Sequence, residues 1–495
     1  MHNAQSIGHA VPWIEGRNIV AETRSSTDST AQPQLKRAIG RKLLLLFVVG
    51  DVLGAGIYAV TGKVAGVTGG AAWLGFGLAF LVALFTATSY AELVGKYPKA
   101  AGAALYTQRA FNLRFVTFLV AFTVMCSGLT SATTSAITFG STGSSGDLLT
   151  NADATYLGQF LPPLPAWLIP LIFIAIVTVV NFIGVSESVK LNVILTCIEL
   201  SGILIVLALA GVGVFGQGKG DVSNAFEFNE GVPMLLIVGG AAVAFFSMVG
   251  FEDSVNMVEE TKDPQKNFPW ALFVGLSFCG VLYMLIAFFA TTLVPLDELS
   301  EGTAPLLRVV SEAASWFPLK LFALIALCAV ANTALINMMM ASRLVYGMAE
   351  ERIIPSVLGR VHPLRRTPWV AILFTVAIVV GLLFYGIANA DAISLLASTT
   401  SLLLLSVFTV VNIAVLVLRR RTVEHEHFRA PTVLPVLAVV CSLALIVYPA
   451  LNADTGDDAQ YGVALVLLGL GVVLWLVNWL THGRRSADFD VEKLG

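Results

Sequence analysis

The chain has 495 residues, of which 57% are hydrophobic and only 12% are charged. Soluble globular proteins carry about 25% charged residues. This composition, with a mean hydropathy of +0.83, therefore excludes an ordinary soluble protein. The net charge of −3 gives no indication of a nucleic-acid partner. We predict an all-α polytopic membrane protein that is embedded in the lipid bilayer.

The predicted elements begin after a polar stretch at residues 1–34. This stretch lacks the apolar core of a secretory signal, and its composition is typical of a disordered cytoplasmic tail. A transmembrane helix needs about 20 apolar residues, and we predict twelve such helices, the first of which is an uncleaved anchor. Their approximate extents are 43–67, 72–95, 114–140, 166–185, 190–215, 232–257, 268–294, 320–349, 368–388, 392–418, 432–450 and 460–482.

The basic residues predict the orientation of these helices. When the N-terminus is placed in the cytoplasm, 25 of the 29 Lys and Arg residues fall on the cytoplasmic side. Cytoplasmic loops of membrane proteins are enriched in these two residues, and an error of one span would destroy the asymmetry. The bias supports twelve spans, with both termini in the cytoplasm, a C-terminal tail at 483–495, and the plasma membrane as the predicted location.

The first span has a charge and two glycines in the middle of its apolar run. Residues 50–60 read GDVLGAGIYAV, so the carboxylate of Asp51 is followed by Gly54 and Gly56. A glycine in a helix interior costs about 1 kcal/mol relative to alanine, and a carboxylate near the centre of a membrane costs roughly 2.5–3.5 kcal/mol. These residues predict an interruption of the helix.

The sixth span is interrupted in the same way. Within residues 232–257 an apolar run is followed by small and acidic residues, namely Ser247, Gly250, Glu252 and Asp253. Because the two interrupted spans are five apart, the second set of five helices runs opposite to the first. Paired interruptions in inverted halves are typical of the central site of a secondary transporter.

Interrupted helices expose backbone groups that lipid cannot satisfy. Free N–H groups at the start of a half-helix attract a carboxylate, and free carbonyl groups attract an ammonium group. Such a site would suit a zwitterionic amino acid. We therefore predict inverted repeats at about 43–215 and 232–418 within a ten-helix transport core at 35–418, followed by two additional helices in 419–482.

Four stretches of sequence carry a more specific signal. They are LGAGIY in the first span, YAELVGKYPKAAGAALYTQRAF at 90–111, FFSMVGFEDSVNMVEETKDPQKNFP at 245–269 and SRLVYGMAEERIIPSVLGRVHPLRRTP at 342–368. Together they resemble the amino acid–polyamine–organocation permeases, and bacterial relatives of cationic amino acid transporters in particular. This resemblance implies a leucine-transporter-like fold, with a five-plus-five inverted repeat and two further helices.

The resemblance also implies roles for individual residues. In this family the substrate carboxylate is held by backbone N–H groups at the first break, here those of Gly54, Ala55, Gly56 and Ile57. The substrate amino group is held by backbone carbonyls at the second break, here near Phe246, Ser247 and Val249. Phe251 lies where the family often has an aromatic gate, and Glu252 matches an acidic position that acts in gating or substrate reading.

Two acidic residues are open to more than one interpretation, and a third has a structural role. Some proton-coupled relatives have a lysine in the fifth helix, where this chain has Glu199. A glutamate can carry a proton but cannot act as a tethered ammonium, so Glu199 is either a proton-coupling residue or a structural carboxylate. Asp51 stands where relatives have a small or uncharged residue, and it serves substrate contact, proton coupling or structural bonding. Glu92 is expected to fasten a cytoplasmic loop to basic neighbours.

These observations predict a secondary transporter, and not an enzyme, that moves amino acids or related amines by alternating access. The sequence has no nucleotide-binding loop, and we expect no metal site and no cofactor. An ion gradient or substrate exchange would then supply the energy, and the family favours protons. Two alternatives stay open. One is a polyamine or organocation carrier in which Asp51, Glu252 and Asp253 pair with a second ammonium group, and the other is a nutrient sensor that binds without transport.

Overall fold

A computed structural model describes residues 39–99, 102–142, 155–183, 189–365, 367–389, 391–423, 425–451 and 459–482. The predicted tails at 1–34 and 483–495 lie outside these residues. Within the described ranges the chain forms sixteen α-helices, joined by loops and short 3-10 turns, and it forms no β-sheet. The all-α prediction is confirmed for this part of the chain.

The helices follow one another closely along the chain. In order, they are α1 (Arg41–Val52), α2 (Ala55–Thr68), α3 (Ala72–Lys96), α4 (Gly102–Phe111), α5 (Arg114–Gly140), α6 (Leu168–Ile183), α7 (Val189–Gly211), α8 (Pro233–Ala244), α9 (Pro264–Leu293), α10 (Leu296–Ser300), α11 (Pro305–Ala313), α12 (Leu319–Glu350), α13 (Trp369–Ile387), α14 (Ala392–Leu418), α15 (Val433–Leu451) and α16 (Ala459–His482).

Most of the predicted spans correspond to long apolar helices. Ten helical segments of the described residues are long and apolar enough to cross a membrane, and the bent pair α1–α2 adds an eleventh when it is counted as one span. The predicted span at 166–185 corresponds to α6, which has 16 residues and is therefore shorter than the usual spanning length. The chain is an integral multi-pass membrane protein.

Both predicted interruptions are present in the structure. Helices α1 and α2 meet at an angle of 43° across Leu53 and Gly54. Helix α8 ends at Ala244, continues as a 3-10 turn, and then gives way to extended backbone at Val249. Gly250 follows with φ +120°, a conformation that residues with a side chain rarely adopt. Each break therefore includes a glycine, Gly54 at the first and Gly250 at the second.

The helices that carry the breaks are enclosed by neighbours. Helix α3 packs against α8 and α9, α5 packs against α12 and α14, and nearly every residue of α2 is buried. By contrast, only 22% and 28% of the apolar windows of α15 and α16 are buried, compared with 72% for α5. The last two helices are therefore peripheral to the packed centre.

A buried ion pair joins the end of α3 to the end of α14. The guanidinium of Arg419 donates from Nε and Nη2 to the two carboxylate oxygens of Glu92, at 2.8 and 2.6 Å. The backbone N–H of Ala430 also donates to Glu92, at 2.9 Å. Only 2% of the Glu92 side chain and 9% of the Arg419 side chain are exposed. Glu92 thus fastens α3 to the segment that follows α14.

Replacing Glu92 by glutamine is expected to destabilise the protein by about 3–5 kcal/mol, because the substitution leaves the Arg419 charge buried without its partner. Thermal unfolding of the purified protein in detergent measures this loss. The matched control is Glu298→Gln, because Glu298 pairs with Arg308 at 3.6 Å while 57% of its side chain is exposed. That change should alter stability by no more than about 1 kcal/mol. Equal melting of the two variants would contradict the expectation.

Candidate functional site

The start of α2 places backbone donors at the first break. The first four N–H groups of an α-helix have no partner within the helix. Because Gly54 is the N-cap of α2, these groups belong to Gly54, Ala55, Gly56 and Ile57, which are the four residues assigned above to a substrate carboxylate. The donors lie in the interior of the protein, where the helix dipole adds a partial positive charge.

The two breaks touch each other at two glycines. A Cβ atom added to Gly56 would lie 2.6 Å from the Cα of Ser247, and one added to Gly250 would lie 2.5 Å from the carbonyl oxygen of Asp51. Real Cβ atoms do not approach backbone so closely, so the contact between the breaks requires glycine at both positions. Gly56 therefore has a packing role besides the substrate approach that was predicted for it.

A small cavity lies between the breaks. Its lining includes several predicted site residues, namely Asp51, Gly54, Ala55, Gly56, Phe246 and Val249. Asp253, which follows the second break, is also part of the lining. The opposite side consists of residues from α5 and α12, namely Ser131, Asn332, Thr333, Ile336 and Asn337. The cavity thus brings the donors of α2 together with two carboxylates.

Within the described part of the chain, the carboxylates at the breaks have no basic partner. Among the described residues, none of Asp51, Glu252 and Asp253 forms an ion pair with Lys, Arg or His. Oδ2 of Asp51 is buried and has no hydrogen-bond partner within the described ranges. Glu252 accepts a hydrogen bond from the N–H of Gly250 at 3.0 Å and lines a second small cavity. These groups can bind an ammonium group or a proton.

Glu199 lies beside the cavity and does not line it. Its side chain is 1% exposed and accepts a hydrogen bond from Nδ2 of Asn332 at 3.1 Å. Its backbone carbonyl accepts a hydrogen bond from the hydroxyl of Tyr58 at 3.1 Å. Glu199 Oε2 has no partner among the described residues. The carboxyl group is therefore one residue away from the cavity, and Asn332 connects the two.

Three further predicted residues lie outside the cavity lining. Ile57 and Ser247 are buried in the packing around the first break. Phe251 packs in an aromatic cluster, with ring centroids 5.9 Å from Tyr90 and 5.2 Å from Phe408. The side chain of Phe251 is thus held away from the cavity, and its role as an aromatic gate stays a prediction.

Four polar residues of the cavity lining escaped the sequence analysis, namely Ser131, Asn332, Thr333 and Asn337. Helix α12 reads AVANTALINMMM from residue 329, and its three polar residues recur at helical spacing, which places them on one face. A polar face within an apolar span commonly lines a functional site. This spacing is the signal in the sequence from which these residues could have been predicted. In the structure, Asn337 donates a hydrogen bond to the Ser131 hydroxyl of α5 at 3.4 Å.

A multi-pass helical protein with a polar cavity between two broken spans is a membrane transporter. Comparison with known families agrees with this class. Residues 39–475 match the amino acid permease family, and the chain belongs to that family. The predicted membership of the amino acid–polyamine–organocation permeases is confirmed, and the chain is a permease.

The relatives of this chain are transporters with different named substrates. The branched-chain amino acid permease BcaP of Bacillus subtilis is 26% identical over 92% of this chain and 96% of its own length. The chloroplastic cationic amino acid transporter 9 of Arabidopsis thaliana is 30% identical, over 69% of this chain and 60% of its own length. The low-affinity putrescine importer PlaP of Escherichia coli is 24% identical over 79% of this chain and 82% of its length.

The contact between the breaks gives a testable expectation. Gly56→Ala should abolish substrate binding and lower the melting temperature, because the new methyl group would force the Ser247 backbone away. Thermal shift with and without ligand measures both effects. Gly462→Ala in α16 is the control, because no atom lies within 4 Å of the position of its Cβ. Unchanged ligand affinity in Gly56→Ala would show that the breaks do not form the site.

Proposed function

We propose that this chain is a secondary permease for amino acids with a cationic side chain, such as lysine or ornithine. The observation that supports this proposal most strongly is the cavity itself. It brings the N–H groups at the start of α2 together with the carboxylates of Asp51 and Asp253, which have no described basic partner. The N–H groups suit the α-carboxylate of the substrate, and the carboxylates suit its ammonium groups.

The proposal includes the predicted topology of twelve spans. Helix α6 counts as the fourth span, and a local thinning of the bilayer would accommodate its short length. The first inverted repeat then runs from α1 to α7 and the second from α8 to α14, and both termini lie in the cytoplasm of a plasma-membrane carrier. The distribution of basic residues and the peripheral position of α15 and α16 support this arrangement.

Alternating access is supported by contacts on the proposed outer side of the site. Lys63 of α2 forms an ion pair with Asp391 at 3.3 Å, and it donates to the carbonyl of Ser300 at 3.0 Å. These bonds join α2 to the start of α14 and to the end of α10. The second cavity shares Val249 and Asp253 with the first and extends along α12 to Leu344, on the proposed cytoplasmic side. Breaking one set of contacts and forming another would expose the site alternately.

A substitution of Asp51 tests whether this residue recognises the side-chain ammonium group of the substrate. Asp51→Asn should weaken binding of lysine and ornithine by about 10- to 100-fold, which corresponds to loss of a hydrogen bond to a charged group. Binding of alanine should change much less, because alanine has no second ammonium group. Titration of the purified variant with each amino acid measures the difference. Equal losses for lysine and alanine would indicate a structural or coupling role for Asp51.

Coupling to protons is proposed to rest on Glu199. The residue is buried between α2 and α12, and a protonated carboxyl group there would avoid the desolvation of a charge. Glu199→Gln keeps the size of the side chain and a hydrogen-bonding group, but it cannot release a proton. The variant should therefore bind and exchange substrate while it loses accumulation driven by a proton gradient.

The measurement is uptake of labelled substrate into proteoliposomes, with and without an inward proton gradient. Undiminished accumulation by Glu199→Gln would clear Glu199 of this role, and Asp51 would be the next candidate. Binding by the wild type without any uptake would favour the nutrient sensor. Asn332→Asp is a useful companion variant, because it removes the amide group that donates to Glu199 and leaves the carboxyl group of Glu199 unchanged.

A carrier of diamines is the second candidate. Two unpaired carboxylates, Asp51 and Asp253, line the same cavity, and two ammonium groups would match them without any need for a bound carboxylate. One relative is a putrescine importer, which agrees with this arrangement. Competition between lysine and cadaverine, its decarboxylated form, separates the two candidates, because only lysine can use the donors of α2.

A further inference from the structure

A threonine from α12 closes the start of α2. The hydroxyl oxygen of Thr333 accepts a hydrogen bond from the N–H of Ala55 at 2.8 Å. The same hydroxyl donates to the carbonyl of Ala329, one turn earlier in α12, at 3.3 Å. Its proton is thus directed into its own helix, and its lone pairs face α2. Thr333 therefore acts as an N-cap that is supplied by another helix.

The position of Thr333 also depends on the glycine that precedes Ala55. A Cβ atom on Gly54 would lie 2.4 Å from the Thr333 hydroxyl oxygen, so this oxygen sits directly over the N-cap of α2. Thr333 is only half-buried, and it forms part of the cavity lining. The contact therefore borders the space that a ligand would enter.

A substrate carboxylate and the Thr333 hydroxyl compete for the same donor. A carboxylate oxygen bonded to the Ala55 N–H would need the position that the hydroxyl oxygen occupies at 2.8 Å. Rotation about χ1 moves a threonine hydroxyl between staggered positions without moving the helix. Binding of a carboxylate at Ala55 thus requires the hydroxyl to turn away, whereas binding of an amine without a carboxylate leaves it in place.

We propose that Thr333 is a specificity-determining residue, whose hydroxyl stands in for the substrate carboxylate at Ala55 and sets the preference between amino acids and amines that lack a carboxylate. This inference rests on the proposed function, because it assumes that a carboxylate binds at the start of α2. The hydroxyl disfavours every carboxylate-bearing ligand by the strength of one hydrogen bond. It leaves the affinity for diamines unaffected.

The test uses two matched pairs of ligands, lysine with cadaverine and leucine with isoamylamine, on purified wild type, Thr333→Val and Thr333→Ser. Valine has the shape of threonine without the hydroxyl. Thr333→Val should bind the amino acid of each pair about fivefold more tightly, which is the equivalent of one net hydrogen bond. Its affinity for the amines should stay within about twofold. Thr333→Ser retains the hydroxyl and should behave as the wild type.

Two results would overturn the proposal. A change of the same factor for both members of a pair would show that Thr333 does not discriminate. A selective loss of amino acid affinity in Thr333→Val would show that the hydroxyl binds the carboxylate directly. A wild type that binds leucine but not lysine would reject only the proposed preference for a cationic side chain. The leucine and isoamylamine pair would still test Thr333.

A second measurement does not depend on the substrate. Hydrogen–deuterium exchange of the peptide that contains Ala55 reports on the bond to Thr333 without added ligand. Exchange should be about fivefold faster in Thr333→Val and unchanged in Thr333→Ser. Failure of the wild type to bind either pair would reject the proposed function. Equal exchange in the wild type and Thr333→Val would instead reject the role of Thr333 itself.

Discussion

The contact between the two broken spans is the constraint on which the rest of this transporter depends. Gly56 lies against the backbone of Ser247, and Gly250 lies against the carbonyl of Asp51. Because the contacts are made by backbone, they bring both breaks to one place in the protein. The cavity, its donors and its carboxylates all follow from this juxtaposition.

An interrupted helix inside a membrane protein has to satisfy its exposed backbone groups, and here side chains supply partners, from neighbouring helices at the first break and from the same segment at the second. Tyr283 of α9 donates to the carbonyl of Val52 at 2.6 Å, at the end of α1, and Thr333 accepts from the first N–H of α2. At the second break, Glu252 accepts from Gly250. Each break is thus closed by side chains that ligand binding or helix movement could release, which is the property a carrier needs.

Charged residues are paired outside the cavity and lack a described basic partner at the breaks. Two ion pairs, Glu92 with Arg419 and Lys63 with Asp391, join segments that do not line the cavity. The acidic residues at the breaks have no described basic partner. The ion pairs fasten helices to one another, whereas the acidic residues at the breaks are available to bind a cation. Helix α12 contacts two parts of the centre, since Asn332 donates to Glu199 and the adjacent Thr333 accepts from Ala55 of α2.

The sequence by itself determined most of the spans and the positions of the breaks, because apolar length, glycine and buried acids act locally along the chain. Only the tertiary structure decided which side chains meet at those breaks. Thr333 lies 278 positions from Ala55, and Tyr283 lies 231 positions from Val52, so no local pattern pairs them. The direction of Phe251 into an aromatic cluster was likewise decided by helix packing. Residues far apart in the chain become neighbours only when the helices associate, and the chemistry of the site resides in those neighbours.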